Sequence, residues 1–139
     1  MVTIELNYEG YWLEANKGDI PCQSGIYCVY SCRFNKEAHT VSIDELLYIG
    51  ESVDVNNRIA NHERAGDWKK ALSGSQTLCY SFAPVMNPNR ERAEAALIYK
   101  HKPPMNDEYI NNFPYNDTVV KLTGIIRKLK DLFIVYQTK

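Results

Sequence analysis

Apolar and polar positions alternate in several stretches of the chain. Ile4, Leu6 and Tyr8 alternate with Thr3, Glu5 and Asn7, a period of two that predicts a short N-terminal strand. Tyr11-Trp12-Leu13 reads as a cap on the core, and Lys17-Gly18-Asp19 with Pro21 as a turn. Gly25 to Ser31 predicts a strand with Ile26, Cys28 and Tyr30 on one face and Tyr27, Val29 and Ser31 on the other. A second strand is expected over Leu46 to Ile49. Between them, Val41 and Ile43 alternate with polar neighbours, so Cys32 to Glu45 reads as an extension of both strands with residues 35–39 at its tip, or else as an irregular loop. Thr77 to Phe82 alternates again and predicts a third strand.

The helical signals lie between and after these runs. Gly50 ends the second strand. Ser52 is the expected N-cap of a helix across Val53 to Arg64, with Asp54 near its positive end and Gly66 at its C-terminus. Trp68 to Leu72 would add a further turn. Asn87-Pro88 would open a helix carrying Arg90 to Tyr99, stopped by Pro103-Pro104. A final helix is expected over roughly Asp117 to Phe133, with Val120, Ile125, Leu129 and Leu132 as its buried stripe. The expected fold is therefore α/β: a three-stranded antiparallel sheet, with an N-terminal strand as an optional addition, flanked by helices in the order ββαβαα. Residues 1–139 form a single domain in this reading, with a C-terminal helical extension over about 107–139.

Length agrees with that picture, since 139 residues suit one domain with one core. The hydrophobic fraction of 45% and charged fraction of 24% are those of an ordinary globular chain. No apolar run approaches the ~18 residues of a membrane span. The N-terminal residues lack the basic and apolar regions of a signal peptide, so a cytoplasmic location is the default expectation. A net charge of −1 argues against tight nonspecific binding to nucleic acid, which rests on many Lys and Arg contacts to phosphate. The four cysteines, Cys22, Cys28, Cys32 and Cys79, show no ligand spacing, which disfavours zinc and marks Cys28 and Cys79 as small core residues.

Candidate chemistry changes the picture more than composition does. Gly25-Ile26-Tyr27 and Tyr48-Ile49-Gly50 each place one tyrosine in a strand. Arg58 and His62 follow, four residues apart and hence on one helix face. Arg58 offers a planar, permanently charged fork that matches phosphate. Glu94 lies in Glu-Ala-Ala-Leu-Ile, with Glu91 one turn earlier, and Asn106 follows Pro103-Pro104-Met105. This ordered set, spanning about 21–106, resembles the GIY-YIG nuclease superfamily, named for the two tripeptides.

The resemblance implies an endonuclease that hydrolyses DNA phosphodiester bonds with one Mg²⁺ or Mn²⁺ ion. It implies Tyr27 as general base, Tyr48 orienting water or contacting phosphate, Arg58 as the phosphate clamp and His62 taking a proton from Tyr27 or binding phosphate. Glu94 would be the metal ligand, and Asn106 would touch substrate or fix the metal-bearing helix. A phenol with a pKa near ~10 needs a nearby cation to serve as base at neutral pH. The long interval between Tyr27 and Tyr48 marks residues 32–45 as an insertion, while Asn57 and Glu51 make the surroundings less basic. DNA is the expected partner, with RNA left open and no membrane. A protein partner could supply specificity by docking on an exposed Phe113-Pro114-Tyr115 patch. The competing reading is a module that keeps the fold, binds nucleic acid or protein, and catalyses little.

Overall fold

The computed structural model describes residues 1–139. Six strands form one mixed sheet: β1 (Val2–Leu13), β2 (Gly25–Asn35), β3 (Thr40–Ser52), β4 (Thr77–Pro84), β5 (Thr118–Gly124) and β6 (Leu132–Val135). Their spatial order is β3-β2-β4-β1-β5-β6, and all neighbours are antiparallel except β1 and β5. The helices are short: α1 (Val55–Ala60), α2 (Ala65–Lys70) and α3 (Asn89–His101), with a 3-10 turn over Glu14–Asp19.

This corrects the expected architecture. The sheet is not three-stranded and antiparallel but six-stranded, mixed and curled into a half-barrel. The C-terminal helix expected over 117–133 is absent; its residues form β5, a loop and β6. The alternation that matters there has period two. Thr118, Val120 and Leu122 turn inward from β5, and Phe133 and Val135 from β6, while Leu132, counted in the expected helical stripe, is exposed. Parallel pairing with Val2–Tyr8 of β1 holds β5 in place, a long-range contact that local spacing does not reveal.

Strand β1 joins the two halves of the sheet. Its first part pairs with β5 and its last part with β4, with a register shift between Gly10 and Trp12. Such irregularities bend a strand and increase its twist. The concave face holds α3, whose Ala93, Ala95, Ala96, Leu97 and Ile98 are buried against Ile4, Leu6, Ile26, Val120 and Phe133 of the strands. The small alanines let the helix lie close to the curled sheet. The opposite face carries a second core, Tyr27, Val29, Leu78, Tyr80 and Phe82, covered by Val55 and Ile59 of α1 and by Trp68 of α2.

Several local expectations hold and others shift. Strands β2 and β3 run out as a paired ribbon, from Gly25↔Ser52 to Asn35↔Thr40. At its tip the Asn35 side chain accepts from the backbone N–H groups of Glu37 and Ala38, an Asx-type turn. The cap of α1 is Asp54 rather than Ser52: its carboxylate accepts from Asn57 N–H at 3.1 Å, while Ser52 Oγ accepts from Asp54 N–H at 3.0 Å. Gly66 lies inside α2 instead of ending α1. Cys28, Cys32 and Cys79 are buried and Cys22 is exposed, all as free thiols. Phe113 is fully buried between Tyr99 and Tyr115, Tyr115 is half-buried and only Pro114 is exposed, so the three do not form the exposed aromatic patch expected. No helix is long and apolar enough to cross a membrane.

A candidate hydrolytic cleft at the edge of the sheet

Strand β3 is the outermost strand on its side, and its free edge is closed by the segment after α3. Met105 N–H donates to Leu47 O at 3.0 Å. The Asn106 side chain pairs with Ile49, accepting from its N–H at 3.0 Å and donating to its carbonyl at 2.9 Å. The amide of Asn106 is therefore spent on the backbone of the Tyr48-Ile49-Gly50 segment. It positions that segment while still lining the cleft beside it.

Beside this seam lies a cleft of about 390 Å³ lined by Tyr27, Tyr48, Glu51, Arg58, Glu63, Arg64, Glu94, Ile98, Asn106, Asp107 and Glu108. Five sequence-predicted residues line it directly: Tyr27, Tyr48, Arg58, Glu94 and Asn106. The sixth, His62, is buried behind it against Tyr27.

Tyr27 lies in β2 opposite Gly50 of β3. Its ring crosses the Gly50 backbone so closely that a Cβ on Gly50 would sit 2.3 Å from both Tyr27 Cζ and Oη. Glycine is required there by contact, since any side chain would displace the tyrosine. The phenol reaches His62 Nε2 at 2.8 Å. The other ring nitrogen of His62, Nδ1, accepts from Arg64 N–H at 3.0 Å. A backbone N–H only donates, so Nδ1 carries no proton, and the neutral ring bears its proton on Nε2. His62 therefore donates to Tyr27 Oη, and it does not accept the phenol's proton in this state.

Burial, followed by the nearby Arg58 cation, holds the imidazole pKa down to about 4, which keeps it neutral. Trp68 packs on the same ring at a centroid distance of 4.4 Å. Tyr48 lies 6.3 Å from the Tyr27 ring and 5.4 Å from His62. Burial and Tyr48 push the Tyr27 phenol well above its usual range, with Arg58 opposing them. Helix α1 ends at Ala60, so His62 stands just beyond it, not on a continuous helical face with Arg58.

The carboxylates differ sharply in their partners. Glu51 is paired with Arg90, whose guanidinium also reaches Ser24 Oγ. Glu63 forms a two-pronged pair with Arg58, at 2.7 and 2.8 Å. Asp107 stands 3.4 Å from Arg64, which also holds Asp67 at 3.0 Å. Glu94, in the first half of α3, has no ion-pair partner, and burial followed by the charges of Glu51 and Glu108 raises its pKa to about 8. Glu91, its neighbour in sequence, is exposed and does not line the cleft.

A hard divalent cation fits this donor chemistry. Glu94 is an uncompensated oxygen donor facing a polar cleft, and Mg²⁺ takes one or two carboxylates while keeping waters and substrate oxygens. No group of three or more His, Cys, Asp or Glu side chains gathers to enclose a metal, so an ion there would depend on water and ligand for most of its coordination.

Glu63, Asp107 and Glu108 are cleft residues that motif spacing did not single out. Their only sequence signal is position: Glu63 directly follows His62, and the other two directly follow Asn106. No family model, curated protein or solved structure matches this chain.

Proposed function

We propose that this protein is a metal-dependent endonuclease that hydrolyses DNA phosphodiester bonds, as its resemblance to the GIY-YIG nucleases implies. The observation that carries the reading is the convergence of Tyr27, Tyr48, Arg58 and Glu94 on one cleft from two strands and two helices of the fold, with His62 bonded to Tyr27 behind them.

Hydrolysis needs a deprotonated nucleophile, balance for charge on the phosphoryl oxygens and stabilisation of the leaving oxygen. Arg58 carries the second task, its fork donating to two phosphate oxygens. Tyr27 contacts the attacking water. Its role as base requires its anion to be favoured in the loaded site, and two groups work in that direction: the Nε2 proton of His62 and the Arg58 cation. Tyr48 presents a hydroxyl from the same face and packs the Tyr27–His62 pair from the side. Glu94 would hold the ion, which when bound supplies positive charge to the phosphoryl group and acidifies water. Asn106 keeps β3 in register with α3, and so fixes the distance between Tyr48 and Glu94.

The test is cleavage of supercoiled plasmid and branched DNA with Mg²⁺, with Mn²⁺ and with EDTA. Metal-dependent cutting is expected, abolished in Glu94→Gln and reduced about a hundredfold or more in Arg58→Ala, the usual cost of one transition-state donor. Binding without cutting across those substrates would replace the nuclease with a binding module.

A further inference from the structure

Both guanidinium groups in the cleft are already occupied by the protein's own carboxylates. Arg58 Nη1 and Nη2 each donate to one oxygen of Glu63, at 2.7 and 2.8 Å, the geometry in which an arginine grips two oxygens of a phosphate. Glu63 belongs to the short segment between α1 and α2, and its side chain is 65% exposed, so it can swing into solvent without disturbing the core. Its other near neighbour is His62 Nδ1 at 3.9 Å, on a ring that the Arg64 N–H contact keeps neutral.

We propose that Glu63 caps the Arg58 fork: its carboxylate fills it as an intramolecular stand-in for phosphate and sets an affinity threshold. Every anion that takes the fork binds at that cost, and a polymeric phosphodiester, with its further contacts, stays bound at concentrations where free phosphate or a mononucleotide does not. This inference rests on the nuclease reading and names the substrate class that the cleft admits.

The competition follows from tethering. A carboxylate one short segment away from its partner acts at an effective concentration of roughly millimolar or above. A free phosphate offers the fork no more than Glu63 does. Glu63 therefore acts as a tax on every anion, lowering apparent affinity by the fraction of time the fork is open. A polynucleotide meets that cost with contacts to other phosphates and, through a cation at Glu94, to the cleft floor. Arg64 is also paired, by single contacts to Asp67 at 3.0 Å and Asp107 at 3.4 Å, so the cleft holds no guanidinium without a carboxylate of its own.

The experiment is titration of inorganic phosphate, in EDTA, into the wild type, Glu63→Gln, Glu63→Ala and Glu108→Gln, followed by calorimetry or NMR. The same proteins are then titrated with a short DNA duplex. Exposed ion pairs close with constants of up to about fivefold, so both Glu63 variants are expected to bind phosphate about threefold tighter or more. Glu108→Gln, which removes a cleft charge that does not touch Arg58, is expected to give a smaller gain. Adding Arg58→Gln to Glu63→Gln should erase the gain, and duplex affinity should rise by a similar factor, since the capped fork lowers the affinity of every anion alike.

The proposal is overturned if neither Glu63 variant binds phosphate more tightly than the wild type. It is equally overturned if Glu108→Gln matches them, if the gain survives loss of Arg58, or if a duplex that binds gains nothing. Failure of every protein to bind duplex would instead remove the nuclease reading, while a gain in phosphate affinity would still identify Glu63 as the cap on the fork.

Discussion

Two side chains in the cleft sit where their own chemistry is disfavoured, and each leads to a measurement. Gly50 admits the Tyr27 ring only because it has no Cβ. Gly50→Ala places a methyl group inside the phenol, and the backbone there is paired strand that cannot retreat. The tyrosine is expected to leave His62, with cleavage falling about a hundredfold or more as the positioned group is lost. Retention of a wild-type rate would remove Tyr27 from the chemistry. Glu94 poses an electrostatic problem. Its pKa is raised from 4.5 to about 8, so it prefers to be protonated in the fold. The unfolded chain therefore releases this proton more readily, and stability present below pH 4.5 is lost as pH rises through about 8. Glu94→Gln removes the ionisation and should raise the melting temperature of metal-free protein by a few degrees at high pH, with no gain at pH 5 or below. Mg²⁺ should stabilise the wild type and not the variant. A uniform shift at all pH values would sink this account.

At the scale of elements, the seam between β3 and the segment after α3 determines whether the cleft residues keep their spacing. Asn106 makes two hydrogen bonds to Ile49 from a buried position. Asn106→Ala breaks both and leaves a buried N–H and C=O unpaired, at a cost of about 2–4 kcal/mol. Urea denaturation should show that loss as a lower midpoint with an unchanged slope. A change below about 0.5 kcal/mol would mean that water takes over the seam. The same seam shows what was legible in the sequence. Strands β2, β3 and β4 and helix α3 were visible because each carries its signal locally: alternation in the strands, good helix formers bounded by prolines in α3. Tyr27, Tyr48 and Glu94, carried on those elements, line one cleft for the same reason. Strands β5 and β6 were misread because Val120, Ile125, Leu129 and Leu132 approximate a helical stripe, and Arg127, Lys128 and Lys130 resemble a solvated helix face. What decides their structure is the pairing of β5 with β1, more than a hundred residues away in sequence, and of β6 with β5. The carboxylate caps on Arg58 and Arg64 were hidden too, since a charged residue beside a motif has no partner until the chain has folded.

The whole molecule sets how this cleft can attract a polyanion. Net charge is −1, and the cleft brings five carboxylates to two arginines, both already paired. Long-range steering of DNA toward such a site is weak. Cations without an ion pair lie elsewhere, among them Lys100 and Lys102 at the end of α3, and Arg127, Lys128 and Lys130 in the loop between β5 and β6. The bond from Lys130 N–H to His101 Nε2, at 2.9 Å, brings those two groups together. These two distributions predict different salt dependences. If the cleft alone engages the backbone, Arg58 and Arg64 neutralise about two phosphates, and the logarithm of affinity should fall with the logarithm of salt at a slope near −2. If the distal lysines also engage, the slope should approach −5 or steeper. The acid-rimmed cleft favours the shallow slope, with affinity that depends on divalent cation more than on ionic strength. Fluorescence anisotropy on a DNA duplex across a salt series, with Ca²⁺ and with EDTA, measures both. A steep slope that is indifferent to the cation would place the principal contact on the lysine loop and make the cleft secondary to binding.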